Sequence, residues 1–144
     1  MYKKILVPLD GSALAEAVLP HAQALAKSED AEIILLSVPV TPNLEFLARS
    51  PSLANQVIEA SEKDTEKYLV MEEAKLTMEG AKVSHIMREG PIAEMILKAA
   101  EEVHADIITM STHGRTGLQR FLMGSVADRV VHYSHIPVML IHPN

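Results

Sequence analysis

The chain has no cysteine and no tryptophan, and only three tyrosines and two phenylalanines in 144 residues. Without cysteine there are no disulfides, no thiol nucleophile and no thiolate metal ligand, and a reducing compartment suits the composition. With so few aromatics, the core has to be built from Ile, Leu, Val, Ala and eight methionines; at 48% hydrophobic residues, enough material is present for one. A long basic run is also missing, and the formal net charge is -6. Nucleic acid is therefore not an expected partner, because its affinity rests on clustered Lys and Arg. No apolar run approaches the roughly 18 residues of a membrane span, and the N-terminus enters a strand pattern directly, without a signal-peptide layout. A cytoplasmic protein with no membrane partner is the expectation. Neither G-x-x-x-x-G-K-[ST] nor G-x-G-x-x-G occurs, which disfavours a phosphate-loop NTPase and a Rossmann oxidoreductase. His85, His104, His132, His135 and His142 have no metal-type spacing, so no metal site is expected. The carboxylates Glu72-Glu73 and Glu101-Glu102 fall on polar helix faces and do not form an acid/base pair.

What is present alternates. "YKKILVPLD" reads as a buried strand from Ile5 to about Leu9, stopped by Asp10-Gly11-Ser12. A helix follows, with Ser12 as cap; Leu14, Ala17, Val18, Ala22, Leu25 and Ala26 recur at helical spacing, and Pro20 predicts a kink or break. "AEIILLSVPV" gives a second strand, Glu32 to about Val38. Residues 39 to 51 carry three prolines and read as a loop with at most one helical turn. Ser50-Pro51 reads as a cap and first-turn proline for a long polar helix from about Ser52 to Glu79, closed by Gly80. Next comes a third strand in "AKVSHIMREG". The helix after it has Ile92, Met95, Ile96, Ala99 and Val103 on one face. "ADIITMS" is a fourth strand, "GSVADRVVHYS" a helix and "IPVMLIH" a fifth strand. Strand-helix alternation of this kind predicts one α/β domain over residues 1–144: an open parallel sheet of five strands with helices on both faces. Ligands of such sheets sit beyond the carboxyl ends of the strands.

Between the fourth strand and the next helix lies "MSTHGRTGLQRFLMGSVADRVV", with Gly114, Gly117 and Gly124. Bare backbone before a helix suits an anion: the helix start offers unpaired N–H groups and about half a positive charge, and glycine permits close approach. The hydroxyl of Ser125 adds a donor. Simple turn glycines, with Ser125 as a helix cap, explain the same residues. Asp10, at the end of an apolar strand, fits either an Asx turn or a ligand contact, and His113 can face phosphate or solvent.

"ILVPLDGS", "MSTHGRTGLQRFLMGSVADRVV" and the closing "IPVMLIH" together resemble the universal stress protein family, and the resemblance covers nearly the whole chain apart from about Thr41 to Gly80. Nucleotide-binding members carry G-x2-G-x9-G-[ST] after the fourth strand. Gly114, Gly124 and Ser125 match it, whereas Ser111 stands where the first glycine belongs. The resemblance implies a Rossmann-like fold of the adenine nucleotide alpha hydrolase type, ATP as ligand, with or without Mg2+, and a homodimer. It implies Asp10 near the ribose, Val38 beside the adenine, and Pro8 and Met110 lining the base and sugar pocket. Gly114, Gly124, Ser125 and Val126 would hold phosphates through backbone N–H groups, with Arg115 adding positive charge. The Ser111 side chain would either crowd the ligand or donate to it. The family's fifth strand pairs with its twin across a two-fold axis, which here implicates Val138, Met139, Leu140 and Ile141. No catalytic residue stands out, so a binding and signalling module in the stress response is expected; a slow ATPase or phosphotransferase, or a nucleotide-free interaction protein of the same fold, are the alternatives.

Overall fold

The computed structural model describes residues 1–113 and 124–143. In chain order the elements are β1 (Lys4–Pro8), α1 (Ala13–Glu16), α2 (Leu19–Glu29), β2 (Glu32–Ser37), α3 (Leu44–Arg49), α4 (Pro51–Met78), β3 (Lys82–Met87), α5 (Ile92–Glu102), β4 (Ile107–Ser111), α6 (Ser125–Tyr133) and β5 (Val138–Ile141). The strands form one sheet in the order β3-β2-β1-β4-β5, and every pairing is parallel.

Alternation along the strands builds two cores. Ile5, Val7, Ile33, Leu35 and Ile107 point to the layer of α1, α2 and α4, where Val18, Ala22, Leu69 and Leu76 meet them. Leu6, Ile34, Leu36, Ile108 and Met110 point to the opposite layer, against Ala93, Ile96 and Ala99 of α5 and Ala127 and Val130 of α6. Because β1, β2 and β4 are covered on both faces, their sequences are near-continuous apolar runs. Leu69 and Leu76 are fully buried; truncating either to Ala would cost about 2–5 kcal/mol.

Several boundaries follow from local chemistry. The break predicted at Pro20 occurs: α1 ends at Glu16, α2 begins at Leu19, and Pro20 sits in the first turn of α2, where a missing N–H is harmless. Gly80, at φ +98°, completes a Schellman closure of α4, with Gly80 N–H donating to Thr77 O at 3.0 Å and Ala81 N–H to Leu76 O at 3.1 Å. Three expectations need correction. The helical turn allowed within residues 39 to 51 is longer than expected, a six-residue helix at Leu44–Arg49, because the Asn43 side chain caps it by accepting from Phe46 N–H at 2.8 Å. Ser50 precedes α4 but makes no side-chain cap bond. The buried stripe of α5 is Ala93, Ile96, Ala99 and Ala100, so Ile92 lies off it and is about half exposed.

At the amino ends of the strands, the carboxylate of Asp106 accepts the N–H groups of Lys3 and Lys4 at 2.8 and 2.9 Å, tying the start of β1 to β4. Strand order reverses between β1 and β4: successive strands are added outward on one side through β2 and β3, and on the other through β5. Such a switch point leaves a crevice at the carboxyl ends, since the connections leave in opposite directions.

Candidate functional site

The crevice is a cavity of about 350 Å3. Pro8 and Asp10 reach it from the end of β1, Val38 from the end of β2, Met110 and Ser111 from β4, and Gly124, Ser125 and Val126 from the start of α6. These eight are the described members of the ten candidates, and all of them line this one space. Gly114 and Arg115 lie outside the described residues, as does Gly117. His113 also lines the cavity. The reading missed Leu36, Val40, Ile92, Ile96, Thr112 and Ala127. Val40 and Ile92, each about half exposed, come from the segments that leave β2 and β3 at the same sheet edge; topology could have placed them there.

The lining divides by chemistry. Leu36, Val38, Val40, Ile92, Ile96 and Met110 give an apolar wall suited to a flat, weakly polar ring. The polar side is backbone at the start of α6. Gly124 precedes that helix and its carbonyl accepts Asp128 N–H at 2.9 Å. The N–H groups of Ser125, Val126 and Ala127 therefore have no acceptor within the helix, and the helix end carries about half a positive charge. Ser125 is the first helical residue and makes no side-chain cap, which removes the capping explanation for it.

Gly124 corrects the sequence reading. Its N–H donates to Thr112 O at 2.8 Å and so is engaged within the protein. Its φ of -60° suits any residue. Glycine is required for another reason: a Cβ there would stand 2.6 Å from the Thr112 carbonyl oxygen. The bare backbone lets the helix start meet the end of β4.

Asp10 makes the Asx turn read for it, and it also lines the cavity. Its Oδ1 accepts the N–H of Ser12 at 2.9 Å and the Ser12 hydroxyl at 2.5 Å, closing an Asx turn through Gly11 at φ +85°. Ser12 Oγ in turn accepts Ala15 N–H at 3.1 Å and starts α1. The turn fixes the carboxylate against the cavity. Ser37 Oγ donates to Leu9 O and holds the end of β2 to the same corner. Ser111 is buried, and its Oγ accepts His113 N–H at 3.3 Å, which turns the oxygen onto its own chain.

Beyond Asp10, Val38 and Val40 the cavity adjoins a second space of about 490 Å3, walled by Ser61, Asp64, Thr65 and Tyr68 of α4. Tyr68 donates to Glu16 Oε2 at 2.6 Å. Burial first, then Glu16, raises the Tyr68 pKa far above the ordinary phenol range, with Glu72 and Asp10 acting the same way. This side is acidic, and the α6 end is the electropositive one. Among the described residues no group of three His, Cys, Asp or Glu side chains could hold a metal ion, and no helix is long and apolar enough to cross a membrane.

A five-stranded parallel sheet with this order defines an α/β protein of the doubly wound class, with its crevice at the switch point, where ligands of such sheets sit. A sequence profile of the universal stress protein family matches residues 1–142. Universal stress protein MJ0531 of Methanocaldococcus jannaschii is 36% identical over 143 residues, covering 98% of this chain and 82% of the relative. The solved structure of the hypothetical protein MJ0577 superposes with a TM-score of 0.88 at 33% identity, over 100% of this chain and 98% of the other. A universal stress protein family protein of Arabidopsis thaliana, At3g01520, solved with AMP bound, superposes with a TM-score of 0.69 at 20% identity, over 99% and 92% of the two chains. The chain belongs to the universal stress protein family.

Proposed function

We propose that this chain is a cytoplasmic ATP-binding module that acts as a homodimer in stress signalling. One observation carries the ligand: every described candidate residue, chosen by motif position, lines a single cavity at the β1/β4 switch point. Its volume of about 350 Å3 falls in the usual range for small-molecule sites. In this reading the adenine lies on the apolar wall beside Val38 and Met110, and Asp10 accepts from the ribose hydroxyls. The N–H groups of Ser125 and Val126 receive phosphate, with the Ser125 hydroxyl as a further donor and Gly114 and Arg115 contributing from the intervening segment. The AMP bound by the Arabidopsis relative supports an adenine nucleotide as the ligand class. Magnesium, which binds through phosphates and one or two carboxylates, would arrive with the nucleotide, and Asp10 is a carboxylate lining the crevice.

The dimer reading rests on β5. It is a terminal strand of the sheet and, among the described residues, pairs only with β4. Val138, Met139, Leu140 and Ile141 are apolar and only partly covered. An apolar edge without lysine or proline pairs readily with a second copy, and two-fold symmetry makes the contact self-complementary.

Binding is tested by linkage. A ligand at 100 times its Kd stabilises the folded state by about 2.7 kcal/mol, so saturating ATP with magnesium should raise the melting temperature by roughly 5–10 °C. An unmoved melting curve at millimolar ATP would argue for the nucleotide-free alternative. Incubation with ATP and analysis for ADP separates a holder of ATP from a slow ATPase, and the holder reading expects no turnover above the rate without protein.

A further inference from the structure

Thr112 follows β4, is almost fully buried, and engages all of its polar groups within the protein. Its N–H donates to Ile141 O at 2.9 Å, at the end of β5. Its carbonyl accepts the N–H of Gly124 at 2.8 Å, the residue from which α6 starts. Its hydroxyl lies 3.0 Å from Nδ1 of His113, on the cavity wall, and 3.5 Å from Nδ1 of His142, just past β5. A hydroxyl has one proton to donate and two lone pairs to accept with, so it can serve both imidazoles at once. The fit to α6 is close, because any Cβ on Gly124 would meet the Thr112 oxygen at 2.6 Å.

We propose that Thr112 is a positioning residue: its hydroxyl, set between His113 and His142, fixes the turn after β4 whose backbone carbonyl holds Gly124, and so sets where the first-turn N–H groups of α6 stand and governs affinity for the phosphate part of a nucleotide and not for the nucleoside part. The inference rests on the nucleotide reading above. It follows from the division of the cavity. The apolar wall that would receive the base belongs to β2 and the residues just after it, β4 and α5, whereas the Thr112 hydroxyl contacts His113 and His142. The N–H groups of Ser125 and Val126 follow Gly124, Gly124 is held by the Thr112 carbonyl, and the hydroxyl acts on that carbonyl by fixing the turn through His113 and His142.

The test compares ATP with adenosine, by calorimetric titration, on wild type, Thr112→Val and Thr112→Ser. Valine keeps the size and removes the hydroxyl, whereas serine keeps the hydroxyl. Circular dichroism melting of each variant reports folding separately. Thr112→Val is expected to weaken ATP about three- to tenfold, the worth of one neutral hydrogen bond, with adenosine affinity unchanged; Thr112→Ser should restore ATP affinity to within about twofold. Equal losses for ATP and adenosine, or a serine variant as weak as the valine one, would overturn the positioning role while leaving the nucleotide reading intact. A folded wild type that binds neither compound would overturn the nucleotide reading itself, and this inference with it.

Discussion

His85 on the edge strand β3 and Glu66 on α4 meet at 2.9 Å, Nε2 to Oε1. The other ring nitrogen of His85 stands 3.3 Å from Glu73, seven residues and two helical turns further along α4. Carboxylates on both sides of the ring favour the imidazolium. Burial lowers the His85 pKa, but Glu66 and Glu73 outweigh it and leave it above the ordinary value of 6.5. A raised folded-state pKa means that the stabilisation is fully present below about pH 6.5 and is lost as pH rises through the higher folded value. The wild type should therefore lose melting temperature between pH 6 and pH 8.5. His85→Gln should flatten that limb and lower the pH 6 value by about 2–4 °C, in line with roughly 1 kcal/mol for solvent-screened pairs. Calorimetric melts across this range check it, and parallel curves for the two proteins would contradict it.

Asp106 sets the acid limb. The N–H groups of Lys3, then of Lys4, hold its carboxylate below the usual range. A depressed carboxylate stabilises above about pH 3.9 and loses that contribution as pH falls through its folded value. Asp106→Asn should reduce stability at pH 7 by about 1 kcal/mol, discounted because solvent screens the group, and should shrink the difference from wild type below pH 3. Urea unfolding at pH 7 and pH 3 measures both.

Ser111→Gly restores the family pattern but removes the oxygen that accepts His113 N–H. If the Ser111 hydroxyl donates to the nucleotide, the substitution should weaken ATP binding by roughly 0.5–1.5 kcal/mol. Tighter binding by the glycine variant would mean that the serine crowds the nucleotide instead.

For the edge strand, Met139→Lys and Ile141→Lys each place like charges against each other across the two-fold axis. Both side chains also pack on the α1, α2 and α4 layer, so circular dichroism must first show a folded chain. Light scattering at tens of micromolar should then give a dimer for the wild type and a monomer for each variant. A monomeric wild type would remove the dimer.

Much of this architecture was legible because it is local. The apolar runs of β1, β2 and β4 announce strands buried on both faces, and Pro20 and Gly80 mark a break and a closure by their own backbone limits. The helix at 44–49 was legible only as a single turn within a loop, since the prolines at 39 and 42 suggested loop while Asn43, its cap, reads as a turn residue until the chain is seen to wind. Asp10 and Ser125 were found from their place between a strand and a helix. The reason for Gly124 was hidden, because contact with Thr112 joins two segments that no sequence window spans. Ile92 escaped for a related reason: its exposure beside the cavity depends on how α5 is rotated against the sheet.

The most direct measurement is calorimetric titration of the purified wild-type chain with ATP and magnesium, at protein concentrations of tens of micromolar. The crevice at the β1/β4 switch point predicts saturable binding of one ATP per chain, abolished in Gly124→Val, whose side chain would collide with the Thr112 carbonyl and displace the start of α6. Absence of saturable binding up to millimolar ATP by a folded wild type, or undiminished binding by a folded Gly124→Val, would contradict the assignment of this cavity to the nucleotide.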